Sequence, residues 1–289
     1  MNALQLALLR WYPANLTASF AAGPFPFGLA FDGANMWVAN NQANSVTRVR
    51  ACDGAVSGTF GVGTFPEELA FDGAHVWVSN FGSNNVTKLR ASDGTTVGTY
   101  PVGAGPEGLA FDGTNVWVAN SATNDVTKLR ASDGTALGTF AAGNQPRSLA
   151  FDGEHIWVTN RLSNDVMKLR ASDGAKLGTF AVGTFPLGVA FDGICIWVAN
   201  ANSNNVMKLR ASDGCNLGAF TVGTQPRALA FDGEHIWVAN TYDNTVTKLR
   251  ANDGVSLGTF PVGNGPQHVA FDGANIWVSS SAGNSLSKL

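Results

Sequence analysis

The chain is poor in charge and in cysteine, and no stretch of it has helical periodicity over ten residues. Charged residues are 13% of the 289 positions and 34 positions are glycine, a balance that suits short strands and tight turns better than helices. The formal net charge of -3 argues against a nucleic-acid backbone or an anionic membrane surface as the main partner. Cys52, Cys195 and Cys215 make an odd count of three, with neither a disulfide framework nor a metal-ligand spacing. No apolar run is long enough to span a bilayer. "ALQLALL" near the start lacks a basic segment before it and a cleavage site after it. A cytoplasmic location is therefore the default expectation, with a fragment of a larger or exported protein as the alternative. The terminal "SKL" can read as a peroxisomal address, but "LSKL" is also the last copy of a repeated "VTKL".

What the chain has instead is repetition. "FDG" begins at Phe31, Phe71, Phe111, Phe151, Phe191, Phe231 and Phe271, every 40 residues without insertion. A period of this size signals a solenoid or a propeller, and the content of the unit decides between them. "GLAFD", "NVWVAN", "DVTKLR" and "TALGTF" (from 108 to 140) each read as a short strand bounded by turn residues. "DG" closes two of the turns in a unit. Four antiparallel strands per unit is the pattern of a propeller blade, so the expected fold is all-β, a seven-bladed β-propeller. The last copy stops after its third strand. "LTASFAAG" (16–23) matches the fourth strand in phase, which predicts a ring closed by an N-terminal outer strand. The expected organisation is a tail or short helix over 1–14 and a single propeller over 15–289.

"IWVTN" at 156–160 and "WVAN" in other copies resemble the YVTN-repeat β-propellers, as does the approach "GPEGLAFD" at 105–112. The resemblance covers nearly the whole chain. More distantly the chain is similar to NHL-type propellers and to the virginiamycin B lyase family. No Trp-Asp pair ends the strands, so the WD-repeat signature is missing.

Comparing copies within the chain separates frame from variation. Asp32 and Asp53 with their equivalents supply 13 of the 21 acidic residues, and the columns of Arg48 and Arg50 supply 13 of the 18 basic ones. A ladder pairing Arg50-type residues with turn aspartates is expected, with Arg130 on Asp112 or Asp133. The tryptophans from Trp37 to Trp277 should pack between blades. The all-Asn column of Asn44 suits a left-handed turn position.

The copies differ most in two loops, one before the inner strand and one between strands two and three. By strand direction both emerge on one face around the central channel, while the opposite face carries the monotonous "DG" hairpins. A constant frame with one variable face is expected of a binding surface on a rigid scaffold. The candidate ligand-binding residues are Glu67, Glu107, Arg147, Arg161, Arg227, Gln267 and His268, with Phe81, Phe185 and Tyr242 as apolar surface. Glu68 is a further charge outside the repeat columns, in copy two. Arg147, Arg161 and Arg227 are expected to draw an anionic partner. A protein, a peptide, a glycan or a small anionic molecule would suit such a rim. The set holds no nucleophile, base and orienter. No cofactor, catalytic residue or metal ligand is expected, and a monomer is.

The resemblance to virginiamycin B lyase implies a metal, a histidine and carboxylates at the channel mouth. Two departures stand against it. Strand two ends in Asn or Ser (Asn40 to Ser280) where that family commonly has Glu. Gln267 follows the proline where that family has His, with His268 one place later, and a one-residue slip reverses the facing in a regular strand. The expected function is a non-enzymatic binding or interaction scaffold; the alternatives are a lyase of that type and a purely structural repeat.

Overall fold

The computed structural model describes residues 18–289. The expectation for residues 1–14 falls outside the described residues. Seven separate four-stranded antiparallel sheets make up the described residues, and six of them are ordered from inner to outer strand as the sequence runs. The seven-bladed propeller read from the repeat is thereby borne out. Blade four is representative: Pro146–Phe151 is its inner strand, His155–Asn160 and Asp165–Arg170 follow, and Lys176–Ala181 is its outer strand.

Ring closure also follows the phase of the repeat. Ala18–Ala21 pairs antiparallel with Ser285–Lys288, setting Phe20 opposite Leu286. One strand from the start of the chain thus completes the blade that its last three strands begin, so closure is held by a sheet and not by a loop.

Each recurring residue has a mechanical role. Trp37 is fully buried and packs with Leu69, Val76, Val78 and Leu89 of the following blade. The apolar core is therefore a set of interblade layers. Asp32 accepts the backbone N–H groups of Ala34 and Asn35 and the Trp37 indole N–H at 2.9, 2.6 and 2.7 Å. One carboxylate closes the hairpin and orients the tryptophan. Burial pushes the Asp32 carboxyl up, but these donors outweigh it and hold it below its ordinary range. Lys128 lies over the Trp117 ring, 4.9 Å from its centroid, and donates to the carbonyl of Ala171 in the next blade at 2.6 Å.

The arginine ladder takes one of its two expected forms. Arg130 pairs with Asp133 at 3.0 Å, and the same i,i+3 pair recurs at Arg50, Arg90, Arg170, Arg210 and Arg250. Asp112 is not its partner, because that carboxylate is occupied by Asn115 and the Trp117 indole. Gly174 follows such an aspartate with φ +75°, and a Cβ there would sit 2.0 Å from Phe140 of the preceding blade. This column must be glycine for a steric reason as well as a conformational one.

Candidate functional site at the channel mouth

Two backbone features build the variable face. Asn44 adopts φ 51°, as expected of its column, and its side-chain oxygen accepts the N–H of Phe65 in the next blade at 3.0 Å. The same reach recurs from Asn124 to Gln145 and from Asn164 to Phe185. The invariant asparagine thus fixes the loop that leads to the neighbouring inner strand. Asn41 N–H also bonds Phe25 O, and Gly82 N–H bonds Thr64 O. The two variable loops are therefore joined on one face.

The second feature is a β-bulge at the start of each inner strand. In blade four Pro146 pairs with Asn160, but Leu149 pairs with Val158, so the inner strand carries one extra residue. A bulge re-aims the side chains it contains. Arg147 and Ser148 both line the central cavity, and in blade seven so do Gln267 and His268. The expectation that a one-residue slip would turn His268 away from the channel is overturned. Strict alternation does not hold across the bulge between Pro266 and His268. Where strand two offers a hydroxyl, it takes up the bulge N–H: Ser79 for Glu68, Thr159 for Ser148 and Ser279 for His268.

The cavity has a volume of about 230 Å³, with Glu68, Arg147, Arg227, Gln267 and His268 as its polar lining and Leu69, Leu109, Leu149, Leu187, Val189 and Leu229 as its apolar lining. Arg147 of blade four bonds the carboxylate of Glu107 in blade three and stands 3.4 Å from Glu67 in blade two. Glu67 also accepts Asn41 Nδ2 at 3.0 Å. Burial pushes the Glu67 carboxyl above its ordinary range, although Arg147 opposes the shift. Burial draws Arg147 downward, but Glu107 and Glu67 outweigh it and leave the guanidinium raised.

Across the channel His268 Nε2 lies 3.1 Å from Glu68 Oε2, a contact between blades seven and two. Gly28 of blade one makes room for it. A Cβ at Gly28 would stand 2.5 Å from the Glu67 carbonyl and 2.7 Å from Glu68 Oε1. Gly108 and Gly188 make the same close approach to the backbone at Arg147 and Arg227.

Arg227 of blade six differs from the other cations. Its guanidinium lies over Phe27, 4.8 Å from the ring centroid, and it has no carboxylate within salt-bridge distance among the described residues. Its Nε is buried without an acceptor, as His268 Nδ1 and Gln267 Oε1 are buried without partners. Burial, with Arg147 nearby, draws the Arg227 guanidinium down to about 10.

The residues chosen from sequence thus fall into two groups. Glu67, Glu107, Arg147, Arg227, Gln267 and His268 meet in or directly beside the cavity. Arg161 and Phe185 form a rim pair instead, with the guanidinium 5.3 Å from the ring centroid and its Nε donating to Gln145 at 3.0 Å. Phe81 and Tyr242 are exposed on their loops, Tyr242 by 68%. Phe27 and Glu68, outside the chosen set, belong to the site. Their position beside a proline in the varying loop was the available signal, but only the bulge shows that both residues after the proline face inward. The Asn40 to Ser280 column does not face the channel: Asn80 is fully buried and donates to Asn85 and Thr87 on strand three. Among the described residues no three His, Cys, Asp or Glu side chains are placed to hold a metal, and no helix is long and apolar enough to cross a membrane.

No protein-family model and no curated protein matches the chain. Solved structures do. Kuenenia stuttgartiensis hydrazine synthase aligns with a TM-score of 0.83 at 19% identity, over 92% of this chain and 95% of that one. Virginiamycin B lyase from Staphylococcus aureus aligns with a TM-score of 0.81 at 19% identity, over 94% and 98%. A catalytically inactive His-to-Ala variant of that lyase with quinupristin aligns with 0.82 at 18% identity, over 94% and 98%. The likeness is one of fold. The structural neighbours include virginiamycin B lyase-like seven-bladed propellers, and identity this low carries no activity across.

Proposed function

We propose that this chain is a binding module that seats a ligand over the central channel on the variable-loop face. The supporting observation is that the non-repeating charged residues of blades two, three, four, six and seven converge on one cavity of about 230 Å³, while the opposite face repeats its hairpins. A concave site on which several polar and charged groups converge is the default place to look for a small ligand. The rim pair Arg161–Phe185 and the exposed Phe81 and Tyr242 extend the surface for a larger partner such as a peptide or glycan. The "WVAN" motif and its 40-residue period support a further part of the proposal, that the chain is a YVTN-repeat propeller.

The test is a thermal-shift screen with free amino acids, short peptides and saccharides. A ligand at a hundredfold excess over its Kd stabilises the fold by about 2.7 kcal/mol. For a peptide or saccharide that shift should be lost in the combined Phe81→Ala, Arg161→Ala and Tyr242→Ala variant, and for any ligand it should be kept in Glu154→Ala with Glu234→Ala on the hairpin face. The reverse dependence, or no ligand in the whole screen, refutes the proposal.

One observation favours a second reading. His268 and Glu68 form a pair at the channel mouth, and a histidine is essential in the lyase whose His-to-Ala variant is inactive. A lyase-type activity would place an acid–base pair there. Incubation with quinupristin, followed by mass spectrometry, decides it: conversion that disappears in His268→Ala supports the enzyme, and unchanged quinupristin removes it.

A further inference from the structure

The cations at the channel mouth are not equivalent. Arg147 is neutralised by Glu107 and Glu67, and Arg161 is engaged by Gln145 and Phe185. Arg227 has a ring against one face and neither ion pair nor side-chain hydrogen bond among the described residues. A partly buried guanidinium without a counter-ion is unfavourable unless a partner arrives. Beside it, in the next blade, the Gln267 amide is oriented by Nε2 bonds to Gly265 O and Ser281 Oγ, which leaves Oε1 a buried acceptor without a donor. Leu187 and Leu229 wall the same cavity.

We propose that the channel mouth is a carboxylate site in which Arg227 takes the carboxylate of an α-amino acid unit, Gln267 Oε1 accepts the adjoining N–H, and the leucine wall takes an apolar side chain. The proposal rests on the binding reading above and names its ligand class.

The charge at the mouth selects among anions. Arg147 is engaged by Glu67 and Glu107, so one unpaired guanidinium remains at the mouth; a monocarboxylate matches it, whereas a dianion such as phosphate brings a second negative charge beside Glu68. The planar fork of arginine suits paired bonds to the two oxygens of a carboxylate. The depressed basicity of Arg227 agrees with a charge that lacks its partner. An α-amino acid unit has two sources, a free amino acid or a peptide C-terminus.

Isothermal titration of the intact chain with L-leucine, N-acetyl-L-leucine, N-acetyl-L-leucinamide and inorganic phosphate tests this. Leucine or acetyl-leucine should bind, the tighter of the two identifying the source, and the leucinamide and phosphate should not. Arg227→Met should weaken binding about tenfold or more, and Arg227→Lys should restore part of it. The melting curve of each variant reports folding, and should Arg227→Met fail to fold, the leucinamide comparison and Arg227→Lys decide. Equal binding of leucinamide, preferential binding of phosphate, or unchanged affinity in Arg227→Met overturns the carboxylate site. If a ligand from the broader screen still binds and is lost on the rim variant, the binding face survives that outcome. If nothing binds, both readings fall.

Discussion

Arg147 holds Glu67 and Glu107 on one guanidinium, so a single side chain neutralises carboxylates from two neighbouring blades at the wall of the channel. Removing it leaves two largely buried carboxylates uncompensated. Arg147→Ala should therefore lose about 3–5 kcal/mol of stability. The sign of its pH dependence follows from Glu67, whose carboxyl is already raised by burial. A raised carboxyl binds more protons folded than unfolded, so its penalty grows as pH rises above the ordinary glutamate range. Urea denaturation at two pH values checks this: the deficit of Arg147→Ala should be larger near neutrality than at about pH 5. A deficit independent of pH would show that the loss is one of packing alone.

Arg227 should behave in the opposite way. Its guanidinium is partly buried and unpartnered, so Arg227→Met should stabilise the protein by about 1 kcal/mol. Between its folded value of about 10 and its ordinary value the folded chain holds fewer protons than the unfolded chain. Wild-type stability should accordingly gain from this group only above about pH 10, and below that its penalty is present in full. Chemical denaturation of the two proteins at neutral pH measures it, and a less stable Arg227→Met would mean that the Phe27 contact outweighs the buried charge.

The two aspartate columns should separate sharply. Asp152 accepts the Trp157 indole at 2.8 Å and two backbone N–H groups, and these donors overcome burial to hold its carboxyl low. Asp152→Asn should cost about 1–3 kcal/mol, whereas Arg130→Ala, at an exposed pair, should leave the melting temperature unchanged. Because carboxyls of the Asp32 and Asp152 type are depressed, their contribution is complete above the ordinary carboxylate range and is lost as pH falls through their folded values. Acid unfolding should thus weaken in Asp152→Asn, as followed by tryptophan fluorescence.

Deletion of residues 1–22 should open the ring. It removes the strand that pairs with Ser285–Lys288 and takes Phe20 from the Trp277 ring, 5.5 Å between centroids. The last blade is left with three strands and an unpaired edge. A lower melting temperature and concentration-dependent association are expected. Cooperative melting at the full-length temperature would place the closure elsewhere.

The repeat by itself determined the fold, because forty-residue units with two "DG" turns and four short apolar runs have one compact solution, a ring of like blades. Phase alone located the closing strand, and the constant columns marked what is frame. The Asn44 column was legible as a left-handed turn because so few residue types adopt that conformation readily. The site was legible only as a set of varying positions. Periodicity could not show which varying residues point inward, because an inner-strand bulge breaks the two-residue alternation at the residues concerned, Gln267 and His268 among them. Nor could it show that Arg147 is neutralised while Arg227 is not. That difference depends on which blades stand beside one another around a closed channel, and residues as far apart in sequence as Glu68 and His268 meet only when the ring is complete.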